Sequence, residues 1–112
     1  MRRDFHAYLS DVLKAAEDIE WYTLGIDKDV FAALGEKQAA VERKFEIIGE
    51  AIVQCRQHYP AEIAKLGDVQ SVIDFRNYLA HRYNAVSYEI VWDILVNDLP
   101  VLRTKVKALL VP

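Results

Sequence analysis

Apolar residues fall at Phe5, Leu9, Val12, Ala16 and Ile19, and again at Val41, Phe45, Ile48, Ile52 and Cys55, in steps of three and four. Such steps put one side chain per turn on the same face of a helix, and no segment alternates as a half-buried strand would. A third run holds Val72, Ile73, Phe75 and Leu79, and a fourth holds Val91, Leu95, Leu99, Leu102, Val106 and Leu109. The pattern predicts an all-α fold, an up-and-down bundle of four main helices plus a short extra helix.

Punctuation divides these runs. Asp4 is placed to cap the first helix, which closes with Trp21 and Tyr22 covering the edge of the core. Gly25 interrupts the pattern, and Asp27 caps a short turn through Val30, Phe31 and Leu34 that Gly35 stops. Ile47 and Ala51 widen the apolar face of the second helix, which Tyr59-Pro60 ends. Inside that helix Gly49 costs roughly 1 kcal/mol relative to alanine, so another helix is expected to approach closely there. Gly67 turns the connector, the third helix starts near Val69, and Asn84 and Ser87 supply a turn and a cap for the last helix. Pro100 in its interior removes one backbone bond and is expected to kink it.

At 112 residues with 53% hydrophobic content, residues 1–112 are expected to form one domain with a core of its own. The apolar faces exceed what a small bundle hides, which favours self-association. A net charge of −3 and a pI near 5.6 argue against a general nucleic-acid coat protein. The basic residues after Asp98, namely Arg103, Lys105 and Lys107, fit the negative end of a helix better than an RNA strip. A single cysteine, Cys55, excludes an internal disulfide and suits a reducing compartment. The charged N-terminus is unlike a secretory signal and no run approaches a membrane span, so a cytoplasmic location is expected.

Chemistry concentrates in RNYLAHRY, Arg76 to Tyr83. Arg76 offers a planar fork of donors for phosphate oxygens, and a histidine such as His81 exchanges protons near neutrality. On a helix Asn77 and His81 share a stripe, while Arg76 and His81 stand roughly 140° apart. They meet only if the helix ends near His81 and the chain turns, or if a second copy faces the first across a two-fold axis. Asp74 lies on the stripe of Asn77 and His81. Glu46 and Glu50, one turn apart on the second helix, are either a solvated pair or carboxylates that reach the same cleft. Their spacing would suit a metal, but no histidine accompanies them on that face, so no metal site and no cofactor are expected.

Arg, four residues, His, one residue and Tyr, with Asn directly after the Arg, resembles the signature of the HEPN superfamily. It is similar in particular to the HepT-like toxins that pair with a minimal nucleotidyltransferase antitoxin. AVERKFEIIGEAI, Ala40 to Ile52, looks like that family's long second helix, and YEIVWDILVNDLPVLRTKV, Tyr88 to Val106, like its last one. The resemblance runs from residue 4 onward. It implies a homodimeric ribonuclease that works without a metal, with Arg76 and His81 in the active site and Asn77 as their polar support. It also implies that Tyr83 is where the partner nucleotidyltransferase attaches AMP and silences the toxin. The sequence departs from the family in SVIDF, Ser71 to Phe75, where a glycine is common; Asp74 there either raises the basicity of His81 or makes RNA approach less favourable.

The mechanism so implied is attack of a ribose 2′-hydroxyl on its own phosphate, with His81 moving the proton and Arg76 stabilising the phosphorane charge. Two motifs at one interface would supply two imidazoles, and DNA would be spared. The rival reading is a non-catalytic helical module that presents substrate, or Tyr83, to a separate nucleotidyltransferase.

Overall fold

Asp4 opens α1 (Phe5–Tyr22) by accepting a hydrogen bond from the His6 backbone N–H at 3.3 Å. The computed structural model describes residues 3–82 and 84–111, and all regular structure among them is helical. Leu9, Val12, Ala16 and Ile19 form the buried stripe of α1, as their spacing predicts. Trp21 corrects the sequence reading: it is 73% exposed and covers no core edge. Two residues past Ile19 is roughly 200° round the helix, which points the indole outward, whereas Tyr22 at roughly 300° returns to the core. The Thr23 hydroxyl then closes α1 by donating to the Ile19 carbonyl at 2.9 Å, and Gly25 makes the turn at φ +77°.

Asp27 caps α2 (Lys28–Ala33) through the Val30 N–H at 2.9 Å, and Phe31 is fully buried with its ring 5.2 Å from that of Trp92. Leu34, not Gly35, closes this short helix, and Gly35 is the first residue of the next, α3 (Gly35–His58). The Gln38 side chain donates to the Phe31 and Ala32 carbonyls at 2.8 and 3.1 Å, so α3 caps the end of α2. α3 lies between α1 and the later helix α5 (Gln70–His81). Val41, Phe45, Ile48, Ile52 and Cys55 fill both seams, each fully buried apolar side chain contributing about 1.5–3 kcal/mol. Burial pushes the Cys55 thiol up to about 11.

The connector after Tyr59 is more ordered than its sequence suggests. Pro60 starts a one-turn α4 (Pro60–Ile63), a 3-10 turn follows over Ala64–Leu66, and Gly67 leaves it at φ +80°. Ser87 caps α6 (Tyr88–Asn97). The last helix is not kinked at Pro100 but broken: α7 (Leu99–Leu110) begins one residue before the proline. Proline lacks the N–H that a continuous helix would need there, and its ring fits the first turn of a new helix. α7 packs along α1, where Arg103 meets Glu20 at 2.7 Å, so that cation serves a helix pair and not an RNA strip. No helix among the described residues is long and apolar enough to cross a membrane.

α3 and α5 cross at Gly49. A Cβ built there would stand 2.2 Å from the Arg76 Cβ and 2.5 Å from its Cγ. The absent side chain is therefore the notch in which the stem of Arg76 lies. Gly49→Ala is expected to lose about 1–3 kcal/mol in chemical denaturation, since overpacking beside a Cβ outweighs the helix propensity gained. Gly35→Ala meets nothing within 4 Å and is expected to show no loss.

Two carboxyls are expected to respond oppositely to pH. Asp18 accepts a charge-assisted bond from Lys44 of α3 at 3.0 Å, which lowers its pKa. Burial, with Glu46 nearby, raises that of Glu42. The stabilisation from Asp18 is present above its unfolded value and lost as pH falls; that linked to Glu42 is present in acid and lost as pH rises. Near neutral pH Asp18→Asn should therefore melt lower, by up to about 1 kcal/mol for so exposed a pair, and Glu42→Gln higher. Both differences should shrink in melts run toward about pH 3.

Candidate functional site

The notch fixes what Arg76 can do. Its stem is held between two backbones, so the guanidinium extends from a defined point on α5 instead of sweeping through solvent. Nη1 donates to Asn77 Oδ1 at 3.0 Å, and both residues are half-buried. Among the described residues the other guanidinium donors meet no acceptor, which leaves them for an anion. Below this level Phe75 turns into the core, its ring 5.1 Å from Phe45 and edge-on to it. That contact orients the face of α5 from which the motif projects.

His81 is the last residue of α5 and is exposed, with Arg82 as the C-cap. Helix geometry sets it about 7.5 Å along the axis from Arg76 and roughly 140° round it. The helix does end at His81, but among the described residues the imidazole bonds to neither Arg76 nor Asn77. The chain thus presents a guanidinium and an imidazole on different sides of one helix end. Tyr83 lies outside the described residues.

The carboxylates are occupied elsewhere. Asp74 is exposed and accepts from the Gln70 side chain at 2.8 Å, while Gln70 in turn accepts from Arg56 of α3 at 2.6 Å. This chain draws Asp74 toward the N-terminus of α5, away from His81. Glu46 and Glu50 flank Gly49 on α3 and both face Arg43, at 3.7 and 3.5 Å. Among the described residues no group of three or more His, Cys, Asp or Glu side chains converges.

Two contributors were not singled out from the sequence. The Tyr78 hydroxyl accepts the Ser87 N–H at 2.9 Å and ties the start of α6 back to the motif helix. Its signal was a phenol on an otherwise apolar face, which requires a polar partner. Arg82 adds an exposed cation next to His81, and it was visible only as the second arginine of RNYLAHRY.

Comparison with known proteins bears on the family of the whole chain. The family model described as ribonuclease HepT-like matches residues 12–109, which include every candidate residue. A Methanocaldococcus jannaschii protein named as a candidate RNase is 34% identical over 88% of this chain and 81% of its own length. A second from that organism, named likewise, is 30% identical over 95% of this chain and 96% of its own. A Thermococcus cleftensis protein named as a probable ribonuclease HepT is 31% identical over 97% of this chain and 98% of its own. No solved structure matches the chain significantly. An all-helical chain that carries the Arg76–His81 motif at a helix end, and that the family model covers almost throughout, belongs to the ribonuclease HepT-like family.

Proposed function

We propose that this chain is an endoribonuclease that cuts RNA without a metal ion, as the toxin of a toxin-antitoxin pair. The observation that carries the reading is the guanidinium of Arg76, whose stem is seated in the Gly49 notch, on a helix that ends in the exposed imidazole of His81. In the reaction the ribose 2′-oxygen bonds to the adjacent phosphorus and the bond to the 5′-oxygen breaks. An imidazole takes the proton from the 2′-hydroxyl, an imidazolium returns one to the 5′-oxygen, and Arg76 holds the phosphorane oxygens. Asn77 steadies the guanidinium.

The separation of Arg76 and His81 within one protomer supports a homodimer whose cleft joins the two motifs. Each site would then take its guanidinium from one copy and an imidazole from the other. Silencing by a nucleotidyltransferase antitoxin would place AMP on Tyr83, adding negative charge that draws Arg76 away from RNA. Residues 1–112 would act as one domain in the cytoplasm. Asp74, Glu46 and Glu50 would shape the field around the cleft without touching RNA. The alternative, a non-catalytic module that presents substrate to a nucleotidyltransferase, rests on the same separation, since among the described residues Arg76 and His81 share no partner.

Arg76→Ala and His81→Ala are each expected to lower RNA cleavage by about a hundredfold or more. Wild-type products should carry a cyclic phosphate, DNA should be spared and chelators should have no effect. Metal-dependent cleavage leaving a 5′-phosphate would reject the mechanism, and no loss in His81→Ala would favour the binding module. A mixture of the two inactive variants forms a dimer with one intact Arg76 and one intact His81 on different copies, and it regains partial activity only if the cleft is shared and one imidazole can serve both proton transfers. With the nucleotidyltransferase and ATP, mass spectrometry should find one modified tyrosine peptide, absent in Tyr83→Phe.

A further inference from the structure

α5 packs on α3, while α7 packs on α1 and the 3-10 turn, and between these two arms the bundle is open. The opening is a groove of about 130 Å³ with Phe45, Ile48, Phe75 and Leu99 as its floor and Val72 and Leu102 as its walls. Past Ser71 and Asp98 it continues into a second depression that reaches Asp68 and Lys105, with the half-exposed Val101 alongside. With that second depression, of about 210 Å³, it approaches the lower end of the ~300–1,000 Å³ of binding cavities, room for a few apolar anchors. No residue of the Arg76–His81 motif lines it, so the inference stands apart from the ribonuclease reading.

Charge on the rim selects the occupant. Asp98, at the corner between α6 and α7, is exposed, and its carboxylate has no cation partner among the described residues. Asp68, on the opposite side, accepts the Gln70 backbone N–H at 2.9 Å and forms no ion pair among the described residues. Lys105 is turned toward the Leu66 carbonyl at 3.5 Å. An RNA backbone would meet two carboxylates over an apolar floor, and that combination repels phosphate. A cationic flank with apolar anchors meets complementary charge at the rim and apolar surface below it. Anchors at helical spacing of i, i+3, i+4 and i+7 span about 10 Å, a length suited to the path from Leu99 to Lys105.

We propose that this groove docks an amphipathic helix of a partner protein, its apolar residues on Phe45, Phe75 and Leu102 and its Lys or Arg residues against Asp68 and Asp98. The probe is a fluorescent peptide with leucine at helical spacing and lysine elsewhere, titrated with the full chain and followed by anisotropy. A peptide with the same leucines but glutamate for lysine is the control. The lysine peptide should bind and the glutamate peptide should not. Leu102→Lys should weaken binding at least about tenfold, and Asp98→Asn about three- to tenfold with a shallower salt dependence. Ser71→Trp plugs the groove from an exposed position and should also abolish binding, which guards against misfolding of the Leu102 variant. Equal binding of both peptides, or binding that survives Ser71→Trp, would overturn the proposal. So would competition by RNA, or loss of self-association in Ser71→Trp by light scattering, which would give the groove to nucleic acid or to a second copy.

Discussion

One close approach organises the molecule: α5 lies against α3 only because position 49 has no side chain. At 2.2 Å from a would-be Cβ, the Arg76 stem leaves no room for even a methyl group, so the distance between the helices is set at that point. Elsewhere along the crossing the contact is apolar or made by long polar side chains, as where Phe45 meets Phe75 and Arg56 meets Gln70. The residue with the strongest claim to chemistry is thus also a packing residue. Its hydrocarbon stem belongs to the core and its guanidinium to the surface.

Much of this architecture is legible in the sequence because its causes are local. Asp4, Asp27 and Ser87 cap the helices they precede, and the buried stripes of α1 and α3 are those that the apolar spacing picks out. The misreadings follow from the same arithmetic. Trp21 follows an apolar stripe in sequence but sits about two steps of 100° off it. The break before Pro100 is hidden because Val91, Leu95, Leu99 and Val106 face one core on both sides of it, so the apolar rhythm continues while the helix does not.

The site is less legible. That Gly49 admits another helix follows from its cost in a helix interior, but that Arg76 is what enters depends on how α5 is laid down, which no local pattern encodes. Asp74 shares a stripe with His81, yet its carboxylate is bound by Gln70 and, through it, by an arginine from α3. Sequence spacing states which side chains can be neighbours on one helix; it does not state which neighbour from another helix competes for them.

Cys55 brings a practical property with it. With its thiol pushed up by burial and its surface fully covered, Cys55 holds little of the thiolate that alkylating reagents and oxidants attack at neutral pH. Unfolding restores an ordinary, reactive thiol. The rate at which such a reagent consumes this cysteine therefore reads out how often α3 comes away from its neighbours, and the protein carries that clock without any label being introduced.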